Sequence, residues 1–103
     1  MNGPLKGTGF WRPAPEERAA LREHLLAELP VGHVLWPPTE TLRVEARDRD
    51  GGCLLVSTGR EQGAFAVVHM TWAGRPAMAA FLPETEIYDT EAEMLAALRE
   101  ADT

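Results

Sequence analysis

Residues 64–72 read AFAVVHMTW, and in an extended chain Phe65, Val67, His69 and Thr71 point one way while Ala66, Val68, Met70 and Trp72 point the other. Both sets are largely apolar. A strand that water can wet on neither face belongs in the middle of a sheet, so this segment is expected to be central and to have something packed on each side.

The preceding residues supply its neighbours. TLRVEARDR alternates, with Leu42, Val44 and Ala46 on one side and Arg43, Glu45 and Arg47 on the other, as in a half-buried strand. Asp50-Gly51-Gly52 offers the positive φ angles of a tight hairpin, and CLLVST returns as the next strand. The loop GREQG, between Gly59 and Gly63, closes a second hairpin onto 64–72. Beyond it, Ala73-Gly74-Arg75-Pro76 reads as a turn, residues 77–82 are open between strand and helix, and TEIY reads as a short extended piece.

Helices are expected at both ends. Pro15 suits a first helical turn, Glu16 and Glu17 favour the positive end of the helix dipole, and Ala20, Leu21, His24, Leu25, Glu28 and Leu29 recur at threes and fours. Pro30 and Gly32 end that helix. Thr90-x-x-Glu93 has capping-box spacing ahead of Met94, Leu95, Leu98 and Ala101. Between the first helix and the sheet, VGHVLWPPTE carries Pro37-Pro38, which favours an extended linker. The reading is an α+β domain over residues 13–103: an antiparallel sheet of three to four strands flanked by an N-terminal and a C-terminal helix in two layers, with residues 1–12 an arm that docks by Phe10 and Trp11 or frays.

Charge and composition narrow the function classes. A net charge of −6 disfavours contact with phosphate backbones, so no nucleic-acid partner is expected. The apolar runs fall far short of the ~20 residues that span a bilayer, so no membrane contact is expected either. No charged leader followed by an apolar stretch opens the chain, and its single cysteine suits a reducing compartment; the expected location is the cytoplasm.

No motif specifies a cofactor, and none is expected. His24, His33 and His69 fall on a helix, a linker and a strand without the close ligand pairs that metal sites use, so no metal is expected. Cys53 sits in an apolar run with only Asp48, Arg49 and Asp50 near in sequence, which does not favour a reactive thiolate. Glu84 and Glu86 would share a face and read as a solvated strand edge. If the chain were an enzyme, His69, Thr71 and His33 would be its catalytic residues, because His69 and Thr71 share a strand face. As a binder it would use Trp36, Trp72, Arg75 and Met70, since tryptophan and arginine are enriched in binding hot spots.

The segments VVHMTWAGRP and FLPETEIYDTEAE, taken together, resemble an uncharacterised family of small bacterial proteins. In that family a strand reading V-H-L-T-W-S-G precedes a Pro-x-Thr stretch, an aromatic residue and a C-terminal helix. The matching residues are Val68, His69, Thr71, Trp72, Gly74, Pro83, Thr85 and Tyr88, with His33 and Leu35 matching an upstream G-H-x-L. The family has no established activity, so the resemblance implies relatives and no mechanism.

The expectation is an acidic protein-interaction module, adaptor or immunity-like, rather than an enzyme. The alternative is a small hydrolase or ligand-binding protein with a pocket near His69, Thr71, Trp72 and His33. If both helices cover one side of the sheet, Ala66, Val68, Met70 and Trp72 need a second copy of the chain or the arm to cover them. A homodimer through Val68, Met70 and Trp72 is therefore expected.

Overall fold

The computed structural model describes residues 3–5, 8–48 and 51–101. Its elements run β1 (Gly3–Leu5), β2 (Phe10–Arg12), α1 (Pro15–Glu28), β3 (Arg43–Asp48), β4 (Cys53–Ser57), β5 (Phe65–His69), β6 (Glu84–Tyr88) and α2 (Glu91–Ala101). The six strands form one antiparallel sheet whose spatial order is the chain order. The class is α+β, as read from the sequence, but the sheet is larger than expected and lies between two helical layers.

The added strands come from the arm. Phe10 pairs with Asp48 and Trp11 with Arg47, and the Phe10 side chain is buried beside Ala46, Leu55, Val67 and Met94. The arm therefore docks, and it does so by extending the sheet. Arg47 holds it from the neighbouring strand, its guanidinium 5.8 Å from the Trp11 ring centre and paired with Glu17 on α1 at 3.1 Å.

The central pair is β4 and β5, where Cys53–Ser57 runs opposite Phe65–His69 without a break in register. Leu54, Val56, Ala66, Val68 and Met70 pack against Leu21 and Leu25 of α1 and Leu29 just after it. Leu55 and Val67, on the other face, pack against Met94, Leu95 and Leu98 of α2. The helices thus lie on opposite sides of the sheet. The face expected to need a second copy of the chain is covered by α1: Val68 and Met70 are buried there, which removes the reason given for self-association through them. Trp72 is not part of that face, because β5 ends at His69 and Trp72 turns away with φ +57.

A β-bulge redirects β3. Val44 pairs with Val56 and Ala46 with Leu55, so two residues advance on β3 against one on β4, with Glu45 the extra residue. Side-chain parity flips there, placing Val44 in the α1 core and Ala46 in the α2 core instead of on the same side.

Of the first hairpin turn, Asp50 lies outside the described residues, while Gly51 has φ +74. Residues 77–82 are neither strand nor helix but a run of bends and turns. At the C-terminal helix the Glu93 N–H donates to the Thr90 hydroxyl at 3.1 Å, the cap that the spacing predicts.

Gly59 is required twice over, by φ +77 and because a Cβ there would collide with Thr41, whose hydroxyl donates to the Thr58 carbonyl. Gly59→Ala is expected to destabilise the protein by about 1–3 kcal/mol, lowering Tm by roughly 4–20 °C. Gly74→Ala, at φ +74 with open space around its Cβ, should cost less. Thermal melts of the two variants side by side check this.

Candidate functional site

The β4–β5–β6 register lines up chemistry that is scattered in the sequence. Cys53 is directly opposite His69, and Glu86 is opposite Val67, two residues from His69 on the same face. Cys53 Sγ lies 3.3 Å from His69 Nδ1, and His69 Nε2 lies 2.9 Å from Glu86 Oε1. The Tyr88 hydroxyl donates to Glu86 Oε2 at 3.1 Å. A carboxylate acceptor at Nε2 puts the imidazole proton there and leaves Nδ1 facing the thiol as an acceptor. Thiol, imidazole and carboxylate thus occur in the order of a nucleophile, a base and the group that orients it.

The electrostatics oppose that use. Burial raises the Cys53 thiol to about 11, and the neighbouring Asp48 carboxylate reinforces the shift. The Cys53 N–H donates to Asp48 Oδ1 at 3.2 Å, which fixes that carboxylate beside the sulfur. At neutral pH the sulfur keeps its proton. Glu86 is shifted the other way: its hydrogen bond with His69 holds its carboxyl below the usual range, with the Tyr88 hydroxyl assisting. The phenol of Tyr88 is in turn raised, first by burial and then by the Glu86 charge.

His69 is less buried than the sequence suggests. Its side chain keeps 43% of its surface exposed, because it lies at the end of β5 next to the edge strand. Both of its ring nitrogens have a partner, Cys53 and Glu86.

Thr71 and His33 do not join it. The Thr71 hydroxyl and N–H both donate to Glu28 Oε1 on α1, at 2.7 and 3.0 Å, so Thr71 is committed to the α1 side while His69 contacts Cys53 and Glu86. The shared face read from period two fails because the strand stops before Thr71. His33 is buried: the Leu35 N–H donates to its Nδ1 at 3.0 Å, and its Nε2–H donates to the Pro83 carbonyl at 2.7 Å. It also contacts the Thr85 hydroxyl at 3.2 Å. His24 is at the solvent edge, with Trp72 packed edge-on at 5.4 Å. Among the described residues, no group of three or more His, Cys, Asp or Glu side chains is placed to hold a metal ion.

Among the candidate binding residues, Trp36, Trp72 and Arg75 are exposed and Met70 is buried. Trp72 is nevertheless pinned, its indole N–H donating to the Gly51 carbonyl at 2.7 Å. Glu28 escaped the sequence reading as a site residue. Its side chain is buried, its Oε2 has no hydrogen-bond partner, and its backbone carbonyl accepts the Ala77 N–H at 3.1 Å. A glutamate in the apolar stripe of α1, next to Leu25 and Leu29, was the available signal. The Cys53–His69 pairing was legible as well, since both residues are equidistant from Glu61 in the hairpin loop.

Loops 30–36 and 71–83 meet at one end of the molecule. The His33–Pro83 bond joins them, and a Cβ on Gly32 would stand 3.6 Å from that of Ala80, ordinary van der Waals contact. On these loops Val31, Met78 and Phe81 are largely exposed, at 76%, 104% and 75%. Among the described residues no helix is long and apolar enough to cross a membrane. Comparisons with family models, curated proteins and solved structures find no match to the chain.

The Cys53 environment predicts slow alkylation. A raised thiol pKa means that thiolate appears only as pH approaches 11, so iodoacetamide at pH 8 should react at least about tenfold more slowly than with a free cysteine. Rates measured from pH 7 to 11 check this. Titration well below the ordinary value of about 8.5 would instead make Cys53 and His69 a reactive dyad.

Proposed function

We propose that this chain is a cytoplasmic protein-interaction module that binds through loops 30–36 and 71–83. The observation that carries the reading is that Val31, Met78 and Phe81 stand in solvent on segments whose backbone is fixed from below. Glu28 holds Thr71 and Ala77, and His33 holds Pro83. On a fixed backbone, covering these side chains costs their rotamer freedom and not the ordering of the loops as well. Trp36, Trp72 and Arg75, on the same two loops, add side-chain types common in binding hot spots.

Charge argues for the kind of partner. At −6 the chain repels a second copy of itself and attracts a basic protein, so the occupant proposed is a different, basic protein with an apolar segment. A homodimer is the competing occupant. It no longer has an uncovered sheet face to support it.

A photo-crosslinking residue at position 81, in the full chain expressed in its native host, tests the reading, with position 96 on the exposed side of α2 as control. A basic protein partner should crosslink at 81 and not at 96. Adding Met78→Glu should abolish the adduct while shifting stability by no more than about 0.5 kcal/mol, since Met78 is fully exposed. Adducts between two copies alone would replace the proposed partner with self-association, and no adduct above the control would overturn the reading.

A second reading is favoured by one geometry, the 3.3 Å and 2.9 Å contacts joining Cys53, His69 and Glu86. A small hydrolase would use that row, not the expected set of His69, Thr71 and His33. The alkylation profile decides whether it has a nucleophile.

A further inference from the structure

A cavity of about 200 Å³ opens between the first half of α1 and β3, lined by Pro15, Arg18, Ala19, Arg22, Arg43, Val44 and Glu45. Three of its seven residues are arginines, in a chain with only ten basic residues against sixteen acidic ones. The one carboxylate in the lining is already engaged: Glu45 Oε2 takes the Arg12 guanidinium at 3.0 Å. Glu17, on the same helix, is paired with Arg47. The positive charge of the cavity is thus left largely uncompensated from within.

The three guanidinium groups are not equivalent. Arg22 is fixed, its Nε donating to the Leu42 carbonyl at 2.7 Å and one terminal nitrogen to the Thr39 carbonyl at 3.0 Å. Arg18 stands one helical turn earlier on the same face, and its Nε is buried with no hydrogen-bond partner. Its terminal nitrogens have no carboxylate partner among the described residues, and their N–H groups are the ones an oxyanion in the cavity would accept from. Arg43 is exposed and forms no ion pair with any described residue. Pro15 brings the N-terminal end of the 14-residue α1 to the cavity, and Ala14 provides no side-chain cap for the first turn. Glu16 and Glu17 in that first turn offset the helix dipole, so the arginines supply the positive charge of the cavity.

We infer that this cavity is a binding site for a small multivalent oxyanion, held by Arg18 and Arg43 with Arg22 as the fixed wall. Guanidinium forks match phosphate and carboxylate oxygens alike, so the shared chemistry is a compact polyanion of either kind. The volume lies below the roughly 300–1,000 Å³ of pockets that enclose a drug-sized ligand, which excludes a nucleotide as a fully enclosed occupant. The residues are separate from the loop surface proposed for the protein partner.

Isothermal titration of the full chain with pyrophosphate and, separately, with citrate tests the inference, at constant low ionic strength set with chloride. Saturable one-to-one binding of at least one anion is expected, and the tighter of the two identifies the head group. Arg18→Gln and Arg43→Gln should each weaken binding by roughly tenfold or more, while Arg99→Gln, on α2 across the sheet, should leave it unchanged. Thermal melts in chloride, matching the parent, would show that the variants are folded; Arg18→Lys, which keeps the charge, should recover part of the affinity if Gln does not fold well. No saturation by either anion at about 10 mM, or equal weakening by Arg99→Gln, would overturn the site.

Discussion

The pairing of Cys53–Ser57 with Phe65–His69, whose middle three residues on each strand are buried on both faces, organises everything packed around it. Leu54, Leu55 and Val56 are consecutive and all buried, as are Ala66, Val67 and Val68 opposite them. Alternate side chains point to opposite sides, so neither helix alone can cover this block. α1 takes Leu54, Val56, Ala66 and Val68, and α2 takes Leu55 and Val67. Each fully buried aliphatic side chain contributes about 1.5–3 kcal/mol relative to exposure, which makes the central block the largest local source of stability. The bulge at Glu45 and the docking of Phe10 serve the same end, since both deliver apolar side chains to the α2 side, where an 11-residue helix by itself covers less.

The polar groups near this block are spent on shaping loops. Glu28, within the apolar stripe of α1, reaches Thr71 and so sets where the chain leaves β5. His33, buried between Leu35 and Pro83, ties the loop after α1 to the loop before β6. These two clamps leave Val31, Met78 and Phe81 in water on a defined backbone. Clamps of this kind cost desolvation, which their hydrogen bonds offset: both ring nitrogens of His33 are bonded, whereas Glu28 is bonded through Oε1 and its Oε2 has no partner.

The sequence made some of this readable and hid the rest for identifiable reasons. Apolar residues at both parities of 64–68 specified a central strand, and Gly59 and Gly63 fixed the hairpin closely enough to set Cys53 against His69. Thr90 and Glu93 announced α2. The bulge was hidden because Leu42, Val44 and Ala46 alternate perfectly, and only the partner strand shows that register slips at Glu45. The arm concealed two strands because three-residue strands carry almost no periodicity and depend on β3 for their hydrogen bonds. Thr71 and Trp72 continued the alternation of β5 in sequence yet left the strand in space, held by Glu28 and by Gly51. The Arg18, Arg22 and Arg43 cavity needed the packing of α1 on β3, which no local spacing encodes.

Truncating adjacent residues that point to different faces tests whether two helices from opposite ends of the chain seal opposite faces of one strand pair. Leu54→Ala probes the α1 side and Leu55→Ala the α2 side, with stability read by urea unfolding of each variant. Losses of about 2–5 kcal/mol for both, with unchanged m-values, are what the structure predicts. A loss below about 1 kcal/mol for Leu55→Ala beside a large one for Leu54→Ala would mean that α2 does not cover its face, and would contradict the account.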